Sequence, residues 1–334
     1  MPAADNTEEL VGLLDGIEGR RYAVVDAAHF DNLQDLLTKA GLPFHPLYLD
    51  EKDPAPGAEI AGPHLVELPT RASARKLIAL ADDKPAIVWW VWPEHGDATT
   101  TEIYRHLRRL NVVEIPSDRF DADEHPPAAT DIGLINQVDH GHEHAPQPPK
   151  TESYDLVIFR HADPNAIAML LPLLDAPQVS RLFGDAMGIV VDTEFESVRF
   201  FLRPAALPPK SKGWLRVTPD QYEAIGDNEL HNSRLSISKY LRTVAEEETK
   251  NMSNSELYSH VKFAENTSKD YNFQTEYALG LWAFLLLITG GSLVGSPEIA
   301  NYFQEHDDAP DDAMEHLLED IAEMDDDEME RYLA

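Results

Sequence analysis

The stretch AIVWWVWP (86–93) constrains this chain most. It is apolar at nearly every position, whereas a strand with one wet face alternates apolar and polar residues. It therefore reads as a strand buried on both faces, which requires packed layers above and below it. Three tryptophans on one strand read as core rather than as a ligand platform, with Trp89 and Trp90 pointing to opposite sides.

The surrounding sequence supplies those layers. RYAVVD (21–26), HPLYL (45–49), YDLVIF (154–159), MGIVVD (187–192) and SVRFFL (197–202) read as further strands, the last two as a hairpin. Between them, HFDNLQDLLTKAG (29–41) places Phe30, Leu33, Leu36, Leu37 and Ala40 on one helical face and ends on Gly41. TTTEIYRHLRRL (99–110) opens on N-cap residues and spaces Ile103, Leu107 and Leu110 helically. The expected fold is an α/β N-terminal lobe, a mixed sheet flanked by helices, followed by an all-α C-terminal lobe.

From Thr218 onward the strands stop. TPDQYEAI carries Thr218 as N-cap and Pro219 at the first helical position. Residues 233–250, 255–270, 273–289 and 296–304 continue as helices, including the buried YALGLWAFLLLITGG (277–291), which is too short for a membrane span. TGGSLVGS (289–296) follows a helix rather than a strand, so its glycines read as a C-cap and turn, not a phosphate loop. The boundaries expected are 1–205 for the α/β domain, with a disordered loop at 116–150, then 214–304 for the helical lobe. RPAALPPKSKG (203–213) serves as linker. Residues 305–334 form an acidic amphipathic tail with 14 acids against one arginine and a stripe of Met314, Leu317, Leu318, Ile321 and Met324.

Composition removes several function classes. Sixty acidic against 27 basic residues give a formal charge of −33, which repels nucleic acid and anionic membranes. The absence of cysteine excludes disulfides, thiolate nucleophiles and cysteine-ligated zinc. The acidic N-terminus lacks a signal peptide's features, so a cytoplasmic location is expected. No GxSxG, Walker A, HExxH or dinucleotide fingerprint is found.

Two clusters carry candidate chemistry. HGHEH (140–144), with His125 nearby, offers imidazoles that suit zinc, nickel or copper, but Pro, Gly and Asp around it supply no rigid scaffold; it reads as a polar loop. In IFRHADPNAI (158–167), Asp163 precedes Pro164 and an inward-facing Ile167, Leu170 and Leu171, the signature of a helix N-cap. Arg160 can pair with Asp163 or with Asp26, and Pro172 should end the helix early. The cluster reads as structural.

Three segments, taken in order, carry a resemblance: Tyr22-Ala23-Val24-Val25-Asp26-Ala27-Ala28, then Ala61-Gly62-Pro63-His64-Leu65-Val66, then Phe159-Arg160-His161-Ala162-Asp163-Pro164. Together they resemble the domain-of-unknown-function 4123 family, the effector adaptors or chaperones of bacterial type VI secretion, over roughly residues 20–192. Ala27 stands where the family has glycine, and His161-Ala162 where it has aromatics. The resemblance implies a non-enzymatic protein without catalytic residues, metal or cofactor. It would bind a cognate secreted effector, in its N-terminal region, and help load it onto the spike protein, with Asp26, Gly62, Pro63, Arg160, Asp163 and Pro164 as architectural motif residues.

Partner contacts are expected from Tyr271, Phe273, Tyr277, Trp282 and Phe284, and from Met314, Leu317, Leu318 and Ile321 of the tail, with no nucleic acid or membrane involved. The alternatives are an immunity-like protein that neutralises a toxin, and a metal-dependent hydrolase using the His-rich loop with Asp26 or Asp163.

Overall fold

The computed structural model describes residues 6–48, 58–82, 84–117, 153–193, 198–305 and 309–323. The chain divides into two compact units, the first running to Ile225 and the second beginning at Gly226.

The first unit is built on a six-stranded sheet. Its strands are β1 (Arg20–Asp26), β2 (Phe44–Pro46), β3 (Pro63–Leu68), β4 (Ile87–Trp92), β7 (Gly188–Val191) and β8 (Arg199–Leu202), in spatial order β2-β3-β1-β4-β7-β8. Every neighbouring pair is antiparallel. A second sheet joins β5 (Val112–Pro116) antiparallel to β6 (Tyr154–Ile158) and parallel to the two-residue β9 (Leu215–Arg216). The helices of this unit are α1 (Asn6–Gly16), α2 (Leu33–Ala40), α3 (Ala58–Ala61), α4 (Arg71–Ala81), α5 (Thr100–Arg108), α6 (Pro164–Leu170) and α7 (Ala176–Phe183).

β4 is buried throughout, as its composition requires. Alternation decides which residue serves which layer. Tyr22, Val24, Val88, Trp90, Trp92 and Ile189 face one side, where Ile103 and Leu107 of α5 and Leu182 and Phe183 of α7 cover them. Ala23, Val25, Ile87, Trp89 and Val190 face the other, against Leu10 and Leu14 of α1, Leu33 and Leu37 of α2, and Leu77 of α4. Trp90 and Trp92 stack at 5.6 Å between ring centres, and Tyr22 meets Trp92 edge-on at 5.7 Å. Burying one indole withdraws on the order of 200 Å² of apolar surface, roughly 5 kcal/mol before entropy is counted.

The second unit is helical. It contains most of α8 (Pro219–Val244), then α9 (Glu246–Thr249), α10 (Asn254–Thr267), α11 (Glu276–Ile288), α12 (Pro297–Glu305) and α13 (Pro310–Glu323). α11 is apolar nearly all round because it lies at the centre, with Leu281, Trp282 and Leu285 packed among Leu257 and Val261 of α10 and Met314 and Leu317 of α13. The Trp282 indole donates to Thr267 Oγ1 at 3.0 Å, so its polar atom is satisfied inside the core.

Three expectations need correction. The units do not divide at 203–213, because Leu207, Leu215, Val217, Tyr222 and Ile225 all pack on the core of the first unit. The helix opened by Thr218 does not stop before 233. It runs as one element to Val244, its start fixed by Gln221 N–H donating to Thr218 Oγ1 and Thr218 N–H to Gln221 Oε1. The stripe on 314–321 is no separate tail either, since it completes the helical core.

Gly19 precedes β1 with φ of +130°, and a Cβ there would collide with the Trp92 carbonyl oxygen. Gly19→Ala should therefore cost about 3 kcal/mol through backbone strain and displacement of the β1–β4 edge. Urea unfolding of the two proteins measures it, and an unchanged midpoint would contradict the close approach.

Candidate functional site

The three motif segments lie far apart in sequence and meet at one end of the large sheet. β1 ends on Asp26, whose register partner is Pro63 at the start of β3. Asp26 is 5% exposed, and its carboxylate has two tasks. One oxygen accepts from Ala28 N–H at 3.0 Å, capping the 3-10 turn Ala27–His29. The other accepts from the Arg160 guanidinium at 2.6 Å across 134 residues of sequence. Of the two pairings open to Arg160, the contact is with Asp26; Asp163 acts on it electrostatically. Burial pulls the Arg160 guanidinium down, but Asp26, Asp163 and Tyr48 outweigh it, so the net shift is upward.

Asp163 caps α6. Its Oδ1 accepts from the N–H groups of Asn165 at 2.8 Å and Ala166 at 3.4 Å, and Pro164 fills the first helical position, where a missing N–H costs nothing. Burial pushes the Asp163 carboxyl up, against the downward pull of Arg160 and the two N–H groups. α6 then ends at Leu170 and passes into a 3-10 turn through Pro172, the early stop expected of that proline. Tyr48 stands close enough to feel both Asp26 and Arg160, and burial with the Asp26 charge pushes its hydroxyl up to about 12.

Beneath this pair lies a buried amide–imidazole network that the sequence did not announce. Asn111 Nδ2 donates to the Leu47 carbonyl at 2.9 Å, and Asn111 Oδ1 lies 2.7 Å from His161 Nε2. The Asn111 backbone carbonyl accepts from Phe159 N–H at 2.8 Å. His161 thus donates from Nε2 as a neutral ring, and burial lowers its pKa to about 3. His106, bonded to the Leu182 carbonyl at 2.9 Å, is lowered by burial to about 4. His64, also fully buried, lies 2.9 Å from the Gly62 carbonyl and 3.0 Å from Gln34 Nε2, and burial lowers it as well. An asparagine between helix α5 and strand β5 gave no signal by type or spacing; only its burial identifies it.

Chemically, the cluster fastens. Each carboxylate serves a backbone N–H or a guanidinium, and the histidines bond to carbonyls and amides. Among the described residues, no three His, Asp or Glu side chains are placed to hold a metal ion. His125 and residues 140–144 lie outside the described residues.

The expected partner-binding residues separate by burial. Trp282, Met314, Leu317 and Ile321 are core residues of the helical unit and are corrected accordingly: an apolar stripe buries against its own chain when a neighbour is available. Tyr271 and Phe273 are half-buried in an aromatic cluster with Phe303, at 4.7 and 5.5 Å between ring centres. Phe284 and Leu318 are likewise half-buried, whereas Tyr277 is 57% exposed. Phe263, which no sequence pattern marked, is 45% exposed, and its ring approaches Gly291; Ile288 and Val294 are exposed large apolar side chains as well.

Among the described residues, no helix is long and apolar enough to cross a membrane. Residues 21–120 match the model of the family described as Domain of unknown function (DUF4123), which covers β1 to β5 and the first two motif segments. That stretch of the chain is a domain of this family. No curated protein and no solved structure matches the chain.

Two outcomes follow. Arg160→Ala leaves the buried Asp26 carboxylate with one N–H partner and should cost about 3 kcal/mol, whereas Asp26→Asn, which keeps the cap and leaves Arg160 partly solvated, should cost clearly less. Equal losses in denaturant unfolding would argue against an uncompensated buried charge. Second, a histidine with a depressed pKa takes up its proton more readily in the unfolded chain, so stability is lost as pH falls from about 6.5 towards the folded value, about 4 for His106 and about 3 for His161. Asp163, raised rather than lowered, acts in the opposite sense at the lower end of that window. His161→Gln should make the slope of stability against pH shallower by nearly one proton, read from unfolding free energies at several pH values.

Proposed function

We propose that this chain is a non-enzymatic adaptor, or chaperone, of type VI secretion. It holds a cognate secreted effector through the effector's N-terminal region in the cytoplasm and helps load it onto the spike protein. The observation that carries this reading is the fate of the motif charges. Asp26, Arg160 and Asp163, the residues most suggestive of catalysis, are committed to one another and to backbone N–H groups. The match over residues 21–120 supports the same assignment. Exposed Phe263, Tyr277, Ile288 and Val294 supply apolar surface of the kind that anchors a partner polypeptide.

Co-expression with the effector encoded beside it should give one complex on gel filtration, and two separate peaks would defeat the proposal. Phe263→Asp combined with Ile288→Asp should weaken the complex about tenfold or more. Unfolding of the free protein should change by about 1 kcal/mol per substitution, because each side chain is a little under half exposed, 45% for Phe263 and 42% for Ile288. Removing the effector's N-terminal region should abolish binding. A complex that survives this truncation and blocks the toxic activity would identify an immunity protein instead.

A further inference from the structure

The acidity of the chain makes one part of its surface anomalous. In the first unit, α5, α7 and the loop 210–214 enclose a cleft of about 880 Å³. Arg105 and Arg109 of α5, Arg181 of α7, and Lys210 and Lys212 of the loop line it, with Trp214 beside them. Three acids share these walls, Asp97, Glu102 and Asp185, but Glu102 is committed to the Thr99 N–H at 2.7 Å and the Thr99 hydroxyl at 2.9 Å. A cleft with more cations than anions, in a chain of net charge −33, is not what random placement of charge produces.

Arg181 is the second observation. It is only 6% exposed, and its Nε donates to the Gly213 carbonyl at 3.0 Å. Among the described residues no carboxylate forms an ion pair with it, nor with Arg109, Lys210 or Lys212, and Arg105 acts on Glu102 only electrostatically. Burial and the neighbouring Arg109 both act against its charge. Removing a cation from water without an opposite charge is unfavourable, and an anion seated beside Arg181 would offset that cost. Arg181, Lys212 and Trp214 also line a second cleft of about 380 Å³; of its two acids Glu114 is paired with Arg216 and Asp175 accepts from the Gln178 N–H as the cap of α7, so the groove continues past the first cleft with Arg181 and Lys212 still unpaired by a carboxylate.

We infer that this groove binds a short, extended acidic segment of a partner polypeptide, its carboxylates meeting Arg181 and the cations of α5 and the 210–214 loop while Trp214 packs on the side chains between them. A short segment fits better than a long polyanion. At physiological salt, charges beyond about 8 Å are screened, so a peptide within the groove responds to these cations. A nucleic acid or vesicle extending past it would meet the acidic surface. The identity of the partner as an effector or spike segment rests on the adaptor reading; the groove does not.

The test uses the full chain and a fluorescein-labelled peptide of alternating glutamate and leucine, with lysine–leucine and glutamine–leucine peptides as controls and fluorescence anisotropy as readout. The acidic peptide should bind, should weaken with added salt, and should quench or shift Trp214 emission. Arg105→Glu with Arg109→Glu, and Lys210→Glu with Lys212→Glu, should each weaken it about tenfold or more; these four side chains are exposed, so the fold should survive. Arg181→Gln should do the same, with circular dichroism to check folding. Equal binding of the three peptides, indifference to the charge reversals, or tighter binding of oligothymidylate or anionic vesicles would overturn the inference. If the acidic peptide binds as described but no effector complex forms, the adaptor reading falls and the groove stands. If the complex forms and the peptide does not bind, only the groove falls.

Discussion

The contact between Arg160 and Asp26 holds together what the chain order keeps apart. Asp26 closes the central strand of the six-stranded sheet, and Arg160 follows β6 of the three-stranded sheet, so one guanidinium joins the ends of two separate sheets. The same corner is tied a second time through Asn111, which receives from His161 and gives to Leu47. Loss of either connection leaves polar groups buried without partners, so substitutions at this end of the domain are expected to be costly.

Much of this architecture was readable from residue types. The doubly buried tryptophan strand, the 188–202 hairpin and the Asp163–Pro164 helix start each follow from local chemistry: an unbroken apolar run, two adjacent strand patterns, a carboxylate before a proline. Other elements gave weak signals. β3 and β5 are short and carry His64 and Glu114 within them, so no clean alternation marks them. The uninterrupted α8 contains Gly226 and the poor helix formers His231, Asn232 and Ser233, and tertiary contacts override their propensity.

The candidate site divides in the same way. Asp163 could be assigned from the sequence because a cap is local. The choice of Asp26 over Asp163 as the partner of Arg160 depended on long-range geometry that no spacing encodes. The stripe of Met314, Leu317 and Ile321 illustrates the converse problem. Helical periodicity establishes that a face will be covered, but not by which molecule, and here the chain covers it itself. Cationic residues scattered over 105–109, 181 and 210–212 gave no local signal, because only folding assembles them in one cleft.

The large sheet ends at both sides in a way that limits its own reactivity. β2 has three residues, with Pro43 before it and Pro46 within it, and β8 has four, running into Arg203 and Pro204. Prolines withhold N–H donors, and such brief margins offer little backbone for an incoming chain to template upon. Polymerisation by sheet extension is thereby disfavoured even when the protein is abundant. What another polypeptide gains from docking at the margins of this sheet comes through side chains, whose identity can discriminate, rather than through a backbone ladder that accepts almost any sequence.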